Sequence, residues 1–295
     1  MSFVQMGRKS LILSAVLVTL SIILLFFPGL NLGVDFTGGV ILERQVGQAV
    51  TTSRVRDVMD AAVPDVDLSS AVVQILDSPN EFMVRTKELD NEDILKINQA
   101  FEKEFGELVD LKTDMVGPVI GRELIQKAIL AVAISSIGIL AYITLRFEYR
   151  FAAVAVACLL HDVLIVLGLF ALLGREVNSP FVAAILTVVG YSINDTIVIF
   201  DRIRENLRFR KKESYEEIVE KSLRQSLSRT INTSITTFVV VLMLVLFGGR
   251  VIQDFALALL IGIICGTYSS LLVAGSLWLT WVNRGKRSST SPAAN

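Results

Sequence analysis

In the run "TVVGYSINDTIVIF", Thr187–Phe200, the one charged side chain is Asp195. A carboxylate near the centre of a membrane-spanning helix costs about 2.5–3.5 kcal/mol on insertion scales, so such a group is a functional hypothesis by default. The chemistry it offers is proton binding, because a carboxyl group changes charge with pH whereas a guanidinium stays charged. Arg229 opens the next apolar run, in "SLSRTINTSITTF". If the two runs are antiparallel helices, Asp195 and Arg229 fall at similar depth, and an ion pair between them is geometrically open. Polar side chains crowd both: Ser192, Asn194 and Thr196 near Asp195, and Thr230, Asn232, Thr233, Ser234, Thr236 and Thr237 beyond Arg229. Among them, Asn194, Thr233 and Thr237 are the expected polar support for a proton-coupling pair. A second place of this kind is His161–Asp162, in the middle of another apolar run. Those two either lengthen a proton path or bond each other and remain structural.

Other chemistry finds little footing. His161 is the single histidine, and Cys158 and Cys265 both lie in apolar runs. A histidine metal cluster, a zinc site or a disulfide framework is therefore not expected. The sequence contains no HExxH, GxSxG or Walker lysine loop. The expectation is a protein that is not an enzyme and binds no cofactor or metal, with protons as its coupling ion.

The elements that must position these groups are long apolar helices. Of 295 residues, 53% are hydrophobic, and the mean hydropathy is +0.61. A membrane span needs about 20 mostly apolar residues. Six runs qualify: Ser10–Phe27, Ala128–Leu145, Phe151–Leu173, Phe181–Phe200, Thr230–Phe247 and Phe255–Val282. The first follows Arg8 and Lys9 as a signal peptide would, but it is long and "PGLNLGVDF" offers no small-residue cleavage site, so it reads as a retained span. Lys and Arg fix the expected orientation. With both termini cytosolic, Arg8, Lys9, Arg146, Arg150, the loop from Arg202 to Arg229, and Arg284, Lys286 and Arg287 all fall inside. The short outside loops then hold Arg175 and Arg250. The expected organisation is 1–29 for the N-terminus and first span, 30–127 for an outside domain, and 128–200 for spans two to four. A basic cytosolic loop at 201–229, spans five and six at 230–282, and a cytosolic tail at 283–295 complete it. The loop carries nine basic and six acidic residues. It reads mainly as a solvated helical hairpin that fixes topology, with contact to anionic lipid headgroups or to a partner's acidic surface as the lesser readings.

The outside segment Leu30–Lys127 carries 18 acidic and 10 basic residues, a formal −8. Its pattern alternates strand (Val40–Gln45), helix (Thr51–Ala62), strand (Ser70–Leu76), strand (Glu81–Thr86), helix (Asn91–Phe105) and strand (Leu108–Met115). "DSPNE" supplies the turn between the second and third strands. In "EDILKINQAFEKEF", Ile94, Leu95, Ile97, Ala100, Phe101 and Phe105 recur at helical spacing. A βαββαβ order predicts a small α+β, ferredoxin-like domain. The fold class is thus a polytopic α-helical membrane protein of six transmembrane helices with one such extracytoplasmic domain. "DFTGG" at Asp35–Gly39 lacks nucleotide-binding spacing and reads as a tight turn; Gly262 and Gly266 are spaced for close helix packing.

Three motifs in order carry a resemblance: "GVDFTGG" after the first span, "DMVGPVIGREL" before the second, and "GYSINDTIVIFDRIREN" in the fourth. Together they resemble the SecF subunits of bacterial SecD–SecF protein-export complexes and, more loosely, the resistance–nodulation–division superfamily. The resemblance implies a translocase subunit that, with SecD and the SecYEG translocon, couples proton influx to export of a translocating polypeptide. It implies residence in the cytoplasmic membrane, among lipids, with no nucleic-acid partner. In such subunits a titrating aspartate in the fourth span works with an arginine in the fifth, and these land on Asp195 and Arg229. It implies no established role for His161 and Asp162. Two other readings stay open: a passive assembly subunit, and a small-molecule/proton exporter of the wider superfamily.

Overall fold

A computed structural model describes residues 2–69, 71–87, 89–146 and 148–289. The expected strand start at Ser70 and the tail from residue 290 lie outside the described residues. The elements run α1 (Phe3–Phe26), β1 (Asn31–Leu32), α2 (Val34–Thr37), β2 (Gly39–Val46), α3 (Thr52–Ala62), β3 (Val72–Ile75) and β4 (Glu81–Thr86). Then follow α4 (Asn91–Phe105), β5 (Leu108–Val116), α5 (Pro118–Arg146), α6 (Tyr149–Leu173), β6 (Glu176–Val177), α7 (Ser179–Arg208), α8 (Tyr215–Phe247) and α9 (Arg250–Tyr268). A π-helical stretch, Ser269–Ala274, joins α9 to α10 (Gly275–Ser289). The chain divides into two compact units: the helices before Asn31 and from Leu130 onward, and Leu32–Ile129.

Six helical segments among the described residues are long and apolar enough to cross a membrane: Phe3–Phe26, Val119–Leu145, Tyr149–Leu173, Ser179–Arg208, Tyr215–Phe247 and Ile252–Asn283. Each contains most of one expected run, and most reach further, because charged residues at helix ends extend the helix without breaking it. The basic segment 201–229, read as a helical hairpin, is largely helix. α7 continues to Arg208 and α8 starts at Tyr215, where Ser214 and Glu217 form a capping box. That cap satisfies two otherwise orphaned backbone donors and fixes the start of α8. Within the bundle, α6 and α7 bury their apolar faces, as does the last span, whereas α1, α5 and α8 leave many large apolar side chains exposed.

The second unit is a four-stranded sheet in the order β3-β4-β2-β5, with every neighbouring pair antiparallel. β4 lies between β2 and β3, the split βαβ arrangement. Val40, Leu42 and Val46 of β2 and Phe82 and Val84 of β4 pack against Val55 and Met59 of α3 and Ile97, Phe101 and Phe105 of α4. Phe82 meets Phe101 edge-to-face at 5.0 Å. Leu95, on the same periodic stretch of α4, is instead exposed. The "DFTGG" turn has a stereochemical reason. Gly38 ends the one-turn helix α2 at φ 73°, and Gly39 follows at φ 129°, where an added Cβ would lie 2.4 Å from the Thr86 carbonyl oxygen. Only glycine accepts both conditions. A Cβ on Gly121, in "DMVGPVIGREL", would lie 2.9 Å from the Phe36 carbonyl oxygen, so the first two motifs pack on each other.

Arg44 is fully buried at a β-bulge, where the pairing of β2 with β5 shifts register between Glu43 and Arg44. Its guanidinium donates to Asn98 Oδ1, Asp110 Oδ1, Thr113 Oγ1 and the carbonyls of Glu43 and Lys112, at 2.8–3.0 Å. Burial pushes its pKa below the ordinary arginine value, and Asp110 pulls it back up. Arg44→Ala would leave these acceptors facing a cavity, so a loss of about 3 kcal/mol is expected. Hydrogen exchange of β2 and β5 in the intact protein measures it; unchanged protection would contradict the assignment.

Candidate ion-coupling site

α7 starts where Asn178 accepts the Phe181 amide, with Pro180 in the first turn. Its buried residues Ala184, Ile185, Val188, Ser192, Asp195, Thr196, Ile199 and Ile203 recur at helical spacing. Asp195 therefore faces the bundle rather than its surface, and it is 3% exposed. Across from it, α8 presents Ser222, Ser226, Thr230 and Ser234 at every fourth position, all buried. Ser234 Oγ donates to Asp195 Oδ2 at 3.3 Å, and Thr267 Oγ1 lies 2.8 Å from Ser234 Oγ. Among the described residues Asp195 is thus held by one long hydroxyl bond, in a chain that links α7 to Ser234 of α8 and Thr267 of α9.

Arg229 lies on the neighbouring helix as expected, but among the described residues no ion pair within 4.0 Å joins it to Asp195. Its side chain is exposed and lines an open cleft of about 1210 Å³, together with Asn194, Asp201, Arg202, Glu205 and Arg208. Asn194, adjacent to Asp195, points into this cleft rather than onto the carboxylate. Thr233 and Thr237 do not reach Asp195 either. Thr233 Oγ1 lies 3.0 Å from the Arg229 carbonyl and Thr237 Oγ1 3.0 Å from the Thr233 carbonyl, each bonding its own helix. The hydroxyl that reaches the acid is Ser234, one residue round the helix from Thr233. Arrangement by fours along α8 is the signal that distinguishes it.

His161 and Asp162 bond each other, Nδ1 to Oδ1, at 2.8 Å. Asp162 also accepts Ser192 Oγ at 2.6 Å and Ser269 Oγ at 2.8 Å. Thr196 Oγ1 pairs with Ser270 Oγ at 2.8 Å. Ser269 and Ser270 both turn inward at the start of the π-helical stretch; sequence reasoning missed them and Thr267. The signal was "TYSS" inside an apolar run, just after Gly262 and Gly266. Those glycines let α9 approach α7: a Cβ on Gly262 would lie 2.1 Å from Val188 Cγ2, and one on Gly266 3.0 Å from Ser192 Cβ.

A carboxylate buried on α7, hydroxyls on α8 and α9, and an arginine-lined cleft beside them call for comparison with known proteins. The sequence profile described as the C-terminal region of the protein export membrane proteins SecD and SecF matches residues 96–284, and that of the SecD/SecF GG motif matches residues 23–50. The protein translocase subunit SecF of Desulfurispirillum indicum is 40% identical over 289 residues, covering 95% of this chain and 91% of that protein. The chain belongs to the SecF family. The SecDF translocase subunit of Bacillus subtilis is 39% identical over 275 residues, but the match spans only 36% of its length. A crystal structure of SecDF, a translocon-associated membrane protein from Thermus thermophilus, superposes with a TM-score of 0.88 at 37% identity, covering 96% of this chain and 39% of that one. Six membrane-spanning helices and this kinship identify a multi-pass cell membrane protein of the translocase.

Because Gly262 sits against Val188, a larger side chain there must push α9 away from α7. Gly262→Leu is expected to cost about 1–3 kcal/mol by overpacking. The apparent melting temperature in detergent should fall, and Gly262→Ala should lower it less. Equal stability of all three proteins would show that the helices do not need this approach.

Proposed function

We propose that this chain pairs with a SecD chain and couples proton influx to protein export through the SecYEG translocon, with Asp195 as the group that gains and loses the proton. The observation that carries this reading is the environment of Asp195: buried on a span, touched by one hydroxyl, and not ion-paired to Arg229. Hydroxyl pairs already tie the neighbouring helices together, Thr196–Ser270 joining α7 to the π-helical stretch and Thr267–Ser234 joining α9 to α8. Fusion of the two subunits in the Bacillus and Thermus relatives supports SecD as the partner.

In this reading both termini are cytosolic, the arginine-lined cleft opens to the cytosol, and the unit around β2–β5 lies outside. A proton arriving at Asp195 removes its charge and with it the attraction to Arg229 across the cleft. Helix positions relative to SecD then change, and the outside domains move while they engage a translocating polypeptide. One charge crossing the membrane field supplies about 2.3 kcal/mol per 100 mV, enough to bias a two-state element roughly fiftyfold. Membrane lipids are the medium, and neither a cofactor nor a metal enters the scheme.

Asp195→Asn, reconstituted with SecD in proteoliposomes, should reduce proton conductance to background and abolish gradient-dependent export while leaving assembly with SecD intact. Asp195→Glu should retain a measurable fraction of both. Wild-type conductance and export from Asp195→Asn would favour the passive assembly subunit instead.

A further inference from the structure

Asp162 is fully buried on α6, and its carboxylate takes three contacts from groups able to donate. His161 Nδ1 lies on Oδ1, and the hydroxyls of Ser192 and Ser269 lie on Oδ2. Such convergence on two oxygens fits an ionised carboxylate, which accepts from all three when Nδ1 carries a proton. Among the described residues no lysine or arginine lies in an ion pair with it. α6 itself brings Cys158, and α7 brings Ser192, with Asp195 one turn further along. α9 brings Cys265 and Tyr268, and the π-helical stretch brings Ser269. From α1, Ser14 reaches only Tyr268, whose hydroxyl lies 3.1 Å from its own. Among the described residues neither a lysine nor an arginine bonds Asp162 or His161.

A lone negative charge in an apolar core is costly unless it is paired. The imidazole is the one group placed to supply the positive charge. Its ring stacks on Tyr268 at 6.1 Å between centroids, and Nε2 is buried with no hydrogen-bond partner among the described residues. With Nδ1–H committed to Asp162, Nε2 is the atom left to take a proton.

We infer that His161 and Asp162 together hold one exchangeable proton as an imidazolium–carboxylate pair, a second proton-binding site in the bundle beside Asp195. The proton is gained and lost at His161 Nε2, while the Nδ1–H to Asp162 bond persists. When it leaves, the pair carries a net negative charge against Ser192, one turn from Asp195 on the same face of α7. Two acids so placed resist being charged together, so they exchange protons in sequence. This last step, the role in coupling, rests on the proton-coupling reading of Asp195; the charge of the pair does not.

His161 is the only histidine in the chain, so isotopically labelled histidine reports it alone. Nitrogen NMR of the full-length protein in lipid nanodiscs should find both ring nitrogens protonated near neutral pH. Nε2 alone should lose its proton as the pH is raised. In Asp162→Asn the ring should be neutral where the wild-type ring is charged. A wild-type ring that stays neutral, or never releases its proton, overturns the inference, and the wild-type titration does so without any variant. In SecD-paired proteoliposomes, His161→Gln, which keeps an N–H for Asp162, should shift the pH profile of proton flux. An unshifted profile removes the pair from the proton path. If instead Asp195→Asn keeps full flux while the ring titrates as described, the reading of Asp195 fails and the second site stands.

Discussion

An acid group enclosed in a helix bundle must be stabilised by whatever its neighbours can donate, and among the described residues Asp195 and Asp162 meet hydroxyls and one imidazole rather than a lysine or an arginine. Asp195 and Asp162 both obey that constraint. It explains features that would otherwise look unrelated. Serines and threonines line the buried faces of α7, α8 and the last span, because each carboxylate needs short donors at close range. Glycines at 262 and 266 let α9 approach α7 closely enough for those donors to reach. The π-helical turn after Tyr268 brings two successive serines inward, one to Asp162 and one to Thr196. Remove the close approach and Asp162 loses Ser269, and Thr196 loses Ser270.

The two units treat buried charge in opposite ways. Arg44 is fully enclosed in the sheet domain, yet five hydrogen bonds at 2.8–3.0 Å satisfy its guanidinium. A charge so completely solvated by protein is a fixed structural part. Asp195 has a single hydroxyl contact at 3.3 Å, with an open, arginine-lined cleft beginning at the adjacent residue. A carboxylate held so loosely has little to lose by changing its ionisation state. That asymmetry is why the proposed proton chemistry is assigned to the helix bundle rather than to the sheet.

Much of this was legible in the chain. The charge at Asp195 stands out because nothing charged surrounds it, and the six apolar runs follow from length and composition alone. Alternation and helical spacing located the strands and helices of the sheet domain to within a residue or two. What could not be read was which neighbour each polar group would choose. Thr233, Ser234 and Thr237 are equivalent in composition, but only Ser234 lies on the buried stripe with Thr230. Arg229 lies on the neighbouring helix, with its long side chain at the cleft, where the guanidinium keeps access to solvent. The inward pair Ser269–Ser270 depends on a local π-helical stretch, which no hydropathy pattern announces. The helical hairpin expected at 201–229 is formed by the end of α7 and the start of α8, where charged residues at helical spacing favour helix as readily as they mark solvent.

The central claim is that the Asp195 carboxyl changes ionisation state as the translocase works. Infrared difference spectroscopy of the SecD-paired complex, recorded as a proton gradient is imposed, observes that change directly. The account predicts a carboxylic-acid carbonyl band that rises and falls with the gradient and is absent from Asp195→Asn. A spectrum in which wild type and Asp195→Asn cannot be told apart would contradict it.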